Sequence, residues 1–240
     1  MNLSEALDIN LNRRSVEKVV YVSPALEQKM IRPLISPVIH YDAIDNGGRG
    51  IHHNSANAWK NLIGDDDASV ELGNGFRSAD GLNLEETRVS FSSGNVDVSE
   101  YTIFATFTPV FTGAHPRLLA ESPFPTFYLR STSSYAYSYY GQWVDTIFPW
   151  THIPQTSKRN YVAFRCKDRK IELFVDWIYV SSLTPTSGAS NGSPSFIGSN
   201  ASSTRFLTGA YHSFRAYNKF LSDAEILQIA QYEQARYPNT

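Results

Sequence analysis

Between Tyr101 and Val110 the side chains alternate in type along one extended run. Tyr101, Ile103, Ala105, Phe107 and Pro109 fall on one side, and Thr102, Phe104, Thr106, Thr108 and Val110 on the other. Aromatic and β-branched residues on both sides of one run describe a strand inside a two-layer sandwich. The same grammar recurs downstream. Phe127–Ser131, Ala136–Gln142, Tyr161–Lys167, Lys170–Val175, Trp177–Val180 and Ala210–Tyr217 read as strands, some of them split by no more than a turn, as at Lys167-Asp168-Arg169. Short apolar runs separated by turn residues predict an antiparallel, all-β sandwich. Ser181–Ser203, rich in Ser, Gly, Asn and Pro, reads as loop, short strand at Phe196-Ile197, loop.

Composition agrees with one large domain. A chain of 240 residues with 42% hydrophobic residues can bury a full core without covalent staples. Charged residues make up 18%, and Tyr and Phe number 14 each, a balance that favours strands over helices. The formal net charge of −2 gives no basic excess to neutralise phosphates, so nucleic acid is not an expected partner. Cys166 is the one cysteine, which rules out an intrachain disulfide and suggests assembly in a reducing compartment. The first residues show no apolar signal core, and no run is long and apolar enough for a membrane span.

Two ends of the chain depart from the strand pattern. Residues 1–37 carry mixed charge and the prolines Pro24, Pro33 and Pro37, and read as an N-terminal arm before a domain at 38–240. Within it Ser23-Pro24 opens a short helical stretch that Pro33 stops. The arm reads equally as a packed extension or as a docking segment, with Arg13, Arg14, Leu26 and Met30 as the candidate contacts. At the other end, Ser222-Asp223-Ala224-Glu225 is a capping box. Leu221 can act as a hydrophobic staple, and Ile226, Ile229, Ala230 and Glu233 follow at helical spacing. One C-terminal helix is therefore predicted.

Three stretches resemble the concanavalin A-like lectin/glucanase superfamily in its laminin-G/pentraxin-like branch. Phe196-Ile197-Gly198 followed by Phe206 to Ile226 is similar to that branch's closing motif, an Ile-Gly strand, an aromatic-x-Gly turn, an Arg-x-Tyr-Asn strand and a Leu-Ser-x-x-Glu-Ile helix start. Glu172 to Trp177 resembles its Tyr-Val-Asp-Gly hairpin, with Trp177 standing where the pattern has Gly. Val98 to Phe107 resembles its first long core strand. The opening His40 to Asn46, then Trp59 to Gly64, resembles lectin-like domains of bacteriophage and prophage structural proteins, with Ala43 and Ile63 departing from the pattern. The resemblance implies a concanavalin A-like jelly roll in a virion assembled in the host cytoplasm. Its expected partners are other virion proteins of capsid, neck or tail, together with host-surface glycan. A homo-oligomer stays open, since no heptad repeat or other oligomer signal is present.

Three chemistries follow from the residues. The Glu-x-Asp-x-(x)-Glu strand of glucanases is absent: Glu85-Glu86 are adjacent, and Glu172 and Asp176 bracket an apolar run. The expectation is a chain that is not an enzyme, with a divergent glycoside hydrolase as the remote alternative. Asp65-Asp66-Asp67 is a weak candidate for Ca²⁺, which takes about six to eight oxygens. The run reads first as a solvated turn, and no cofactor is expected. The six histidines lack zinc spacing and read as loop residues. For carbohydrate, Tyr135, Tyr137 and Tyr139 alternate, and Trp143, Trp150 and His152 follow. Rings in such a row stack on sugar C–H surfaces when exposed, or fill a core when not. Trp59 and Trp177 are expected in the core. Two functions stand side by side: a virion structural or decoration protein docked through its arm, and a glycan-binding adhesin module.

Overall fold

The computed structural model describes residues 35–71, 75–76, 81–83, 87–92, 96–97, 99–110, 117–120, 126–129, 135–138, 158–168, 170–184, 195–198 and 207–238, with only the backbone at 117–120, 126–129, 135–138, 183 and 195. The docking candidates Arg13, Arg14, Leu26 and Met30, and the helical stretch after Ser23, lie outside the described residues.

Two antiparallel sheets make the sandwich. The first contains β1 (Ile39–Asp42), β4 (Leu82–Asn83), β6 (Glu100–Val110), β10 (Asn160–Lys167), β11 (Lys170–Val175), β12 (Ile178–Leu183) and β14 (Thr208–Tyr217). Its order is β1-β14-β6-β10-β11-β12, with β4 paired to β14. The second contains β2 (Ala58–Trp59), β3 (Ala68–Glu71), β5 (Arg88–Phe91), β7 (Arg117–Ala120), β8 (Thr126–Leu129), β9 (Tyr135–Ser138) and β13 (Ser195–Ile197). Its order is β2-β3-β5-β13-β7-β8-β9. Helix α1 (Asp223–Arg236) follows β14. The all-β sandwich with one C-terminal helix is the fold that the alternation and the capping box predict.

The long strand explains the layering. Tyr101, Ile103, Ala105 and Phe107 of β6 enter the core between the sheets, with Trp59, Val89, Ile197 and Phe214. Phe104, one step out of phase, enters a second cluster with Ala163, Phe174, Tyr217 and Leu221, Ile226 and Ile229 from the helix region. The centre of the first sheet, β6 and β10, is thus buried on both faces, one against the other sheet and one under α1. Alternation at period two delivers this sorting without further instruction.

The helix begins as its sequence requires. The Ser222 Oγ accepts the Glu225 amide at 3.3 Å, and the Glu225 carboxylate accepts the Ser222 amide at 2.7 Å. Ile226, Ile229, Ala230 and Glu233 are its buried residues, the four that the spacing marks. Leu221 is fully buried in the same cluster as Ile226, as a staple should be. Ser222→Ala should lower stability by about 1 kcal/mol, the usual cost of a lost N-cap, read as a shift in the urea midpoint.

Polar clamps hold α1 on the sheet. Arg215 and Glu233 form an ion pair at 2.7 Å between side chains 4% and 0% exposed. Thr106 donates to Glu233 at 2.8 Å, and Tyr161 donates its hydroxyl to the Tyr237 carbonyl at 2.6 Å. Arg236 reaches Asp42, whose Oδ1 also accepts the amides of Ile44 and Asp45. The opening motif therefore ties the first strand to the last helix.

Some boundaries differ from the sequence reading. β12 runs through Leu183, into the Ser-rich stretch, and Trp177 sits in the turn before it rather than in the strand. β2, β3, β4, β5 and β7 carry no sequence prediction. Each has two to four residues, too few for a period to declare itself. The glycine of the closing motif, Gly209, has φ +125° and a Cβ there would lie 2.1 Å from the Thr108 carbonyl; only Gly permits this approach of β14 to β6.

Candidate functional site

The outer face of the first sheet extends past α1 to the β11–β12 hairpin. Val175 pairs with Ile178, so Asp176 and Trp177 are the two turn residues. Their φ values are 47° and 70°, the left-handed pair of a type I′ turn, which favours Asn-Gly. A tryptophan there is a steric outlier, and such residues cost on the order of 1–3 kcal/mol unless their surroundings hold them. The surroundings do so. Trp177 lies on the Tyr161 ring, centroids 4.7 Å apart at 32°, and packs on the Phe174 cluster beside Ile35. The Asp176 amide donates to the Tyr161 carbonyl at 2.8 Å, and the Tyr161 amide donates to Asp176 Oδ1 at 3.0 Å.

Directly after the turn the ladder slips. Phe174 pairs with Tyr179 but Leu173 with Ser181, so β12 carries an extra residue. A bulge re-aims side chains locally. Tyr179 stands against the edge of Phe174, centroids 5.7 Å apart at 72°, and is 49% exposed. Ile178 beside it is also exposed. The result is an aromatic shelf, Trp177 and Tyr179, underlain by Tyr161 and Phe174.

Charged groups flank this shelf and are already engaged. Arg165 lies between the rings of Phe174 and Phe220, at 4.8 and 4.4 Å from their centroids. It donates to Glu172 at 2.7 Å, to the Leu221 carbonyl at 2.8 Å and to Asp223 at 2.6 Å. Lys170 donates to the other Glu172 oxygen at 2.7 Å. Burial pushes the Glu172 carboxyl up, but the hydrogen bonds from Lys170 and Arg165 outweigh it and hold it below its ordinary value. At Asp176 desolvation prevails over the Tyr161 amide and Lys158, and its carboxyl is raised. Among the described residues Asp176 Oδ2 has no partner, so it is free to accept a hydroxyl. Flat apolar rings beside a carboxylate acceptor suit the alternating C–H and O–H surfaces of a sugar.

The residues singled out in the sequence are distributed otherwise. Tyr137 pairs with Phe127 and Tyr135 with Leu129 across β8–β9. The row of Tyr137 continues through Leu119 to Ile197 and Val89, and Ile197 and Val89 are core residues. Tyr139, Trp143, Trp150 and His152 lie outside the described residues. Asp65, Asp66 and Asp67 are exposed. Asp67 pairs with Lys60 at 3.0 Å and accepts the Asn61 amide, while the Asp66 carbonyl accepts the Tyr41 hydroxyl. Those contacts fasten the segment after β2 to β1. His52 bridges the Ala43 carbonyl and Asn54 Oδ1 within the loop. Trp59 is fully buried as expected, whereas Trp177 is only half-buried. The shelf was signalled in the sequence by Trp177 occupying a glycine position of the hairpin, but its placement there requires the turn geometry.

Solved structures of this shape include several sialidases. Trypanosoma rangeli sialidase with the inhibitor DANA matches with a TM-score of 0.64 at 16% identity, covering 82% of this chain and 33% of that one. The chain thus spans about a third of the length of that sialidase. The binding domain of botulinum neurotoxin serotype D matches at 0.59 and 12% identity, covering 82% and 51%. Domain 4 of a GH43 extracellular arabinanase from Geobacillus stearothermophilus, in complex with arabinotriose, matches at 0.55 and 14%, covering 82% and 98%. No curated protein sequence matches the chain.

The sialidases correct the expectation that the chain is not an enzyme. That expectation rested on a missing pair of carboxylates on a lectin-like sandwich. The same fold occurs within sialidase chains, of which the match covers about a third. A missing carboxylate pair therefore does not set this chain apart from the chains of enzymes, and at such low identity the likeness shows the fold alone. The family itself is shown by sequence, since a laminin G family model matches residues 83–227, more than half of the chain: the chain belongs to the concanavalin A-like lectin/glucanases superfamily.

Proposed function

We propose that this chain is a glycan-binding module that takes its ligand on the Trp177–Tyr179 shelf. The observation that carries the reading is the tryptophan at φ 70° beside an exposed tyrosine. Glycine would relieve the backbone, so the ring itself is what the position keeps. The fold supports the reading, since an arabinanase domain of similar shape was solved with arabinotriose. A panel of immobilised neutral and acidic glycans tests it. Tyr179→Ala should weaken binding at least about tenfold, or about 1.4 kcal/mol, while the urea midpoint stays within about 0.5 kcal/mol of the parent, as for a surface substitution. A blank panel at millimolar glycan would overturn the reading.

The setting proposed for the module is a phage particle, docked to capsid, neck or tail proteins through residues 1–37. Its support is the resemblance of His40–Asn46 and Trp59–Gly64 to lectin-like domains of phage structural proteins. Mass spectrometry of purified particles should find the chain in fixed ratio to a structural protein. Particles lacking it would remove the virion setting and leave glycan binding untouched.

A further inference from the structure

We infer that the shelf selects neutral sugars and discriminates against acidic ones, an inference that rests on the glycan-binding reading. A sugar carboxylate is held most strongly by a cation with donors to offer, a guanidinium fork above all. Two guanidiniums lie near the shelf: Arg165, whose donors go to Glu172, the Leu221 carbonyl and Asp223, and Arg159, whose charge acts on Tyr161 and which donates to the Pro238 carbonyl. Lys170 is bound to Glu172. Lys167, on the same strand as Arg165, is bound to Glu100. The Lys158 charge acts on Asp176.

The group that faces outward at the turn is instead an acceptor. Asp176 uses Oδ1 on the Tyr161 amide and is exposed beside Trp177 in the turn. A carboxylate oxygen accepts from sugar hydroxyls and repels a sugar carboxylate. The two rings supply the apolar contact that every pyranose or furanose face can use. Ring stacking plus one hydroxyl acceptor, with both nearby guanidiniums engaged within the protein, matches an uncharged, hydroxyl-rich glycan.

Arabinotriose, maltotriose and tri-N-acetylchitotriose serve as neutral probes; 3′-sialyllactose and trigalacturonate serve as acidic ones. Titration calorimetry with the full chain should give at least one neutral probe bound ten times more tightly than either acidic probe. Asp176→Asn is the informative variant. Asn tolerates the left-handed φ of 47° and keeps an oxygen for the Tyr161 amide, yet turns the outward acceptor into a donor. It should weaken the neutral probe at least fivefold with an unchanged melting temperature. Trp177→Gly, which fits the turn without strain, should do the same by removing the ring. Tighter binding of an acidic probe, lost in Lys158→Ala, would overturn neutral selectivity while leaving glycan binding intact. Neutral binding untouched by Asp176→Asn, Trp177→Gly and Tyr179→Ala would overturn the shelf as the site. No binding of any probe would instead remove the functional reading on which the inference stands.

Discussion

Glu233→Ala should cost about 3–5 kcal/mol of folding stability, the usual effect of stripping one partner from a buried ion pair. Glu233 is 0% exposed on the inner side of α1, and Arg215 beneath it is 4% exposed. Removing the carboxylate leaves a buried guanidinium that stays charged by its own basicity, facing the Tyr232 ring at 4.6 Å, and leaves the Thr106 hydroxyl without its acceptor. The double replacement Arg215→Met with Glu233→Leu should recover most of the loss, because neither charge is then stranded. Urea unfolding of the three variants measures both numbers. A single-variant loss under about 1 kcal/mol would mean that water reaches the pair.

The neighbouring clamp adds a pH dependence. Burial raises the Asp42 carboxyl, but the hydrogen bonds and charge of Arg236, with help from His40, outweigh it and hold the carboxyl below its ordinary value. A depressed folded-state value contributes stability that is fully present above the unfolded value near 3.9 and is lost as pH falls through the folded one. Acid unfolding should therefore begin below about pH 4 at this clamp, and Arg236→Ala should move the onset to higher pH. An onset that does not move would assign acid sensitivity to other carboxylates.

Trp59→Ala should cost a comparable amount, about 3–5 kcal/mol. Trp59 is fully buried where Tyr41, Phe76 and Tyr211 meet, with centroid distances of 5.7, 5.5 and 6.3 Å. It is the inward residue of a two-residue strand, so its loss opens a cavity at the point where β2 is anchored. Trp59→Phe should be far milder. The indole N–H is buried with no hydrogen-bond partner among the described residues, so phenylalanine deletes volume but also deletes a desolvated donor. A phenylalanine variant as damaged as the alanine one would show that the ring is held by more than packing.

Periodicity made the long elements legible. β6 and β14 each run long enough for alternation to separate a core row from a helix-facing row, and the helix start at Ser222 carries its own chemistry in two side chains. Several short strands were invisible because two to four residues hold no period; β3 and β5 exist through pairing, as where Ser69 meets Ser90 and Phe196 of the foreseen β13 meets Ser90. The clamp of Asp42 on Arg236 spans 194 positions, and no local pattern announces it.

The candidate site shows the same division. Alternation of tyrosines at 135 and 137 gave a row but not the face it takes, since a row is assigned to a face only by its register with strands from elsewhere in the chain. The sequence alone determined a two-layer antiparallel sandwich with one capped helix, because side-chain period and cap chemistry are local properties of the chain. Tertiary structure decided where aromatic surface meets water: a type I′ turn held by Tyr161, and one slipped register in β12, put Trp177 and Tyr179 there. Those depend on distances between strands that the chain brings together only when it folds.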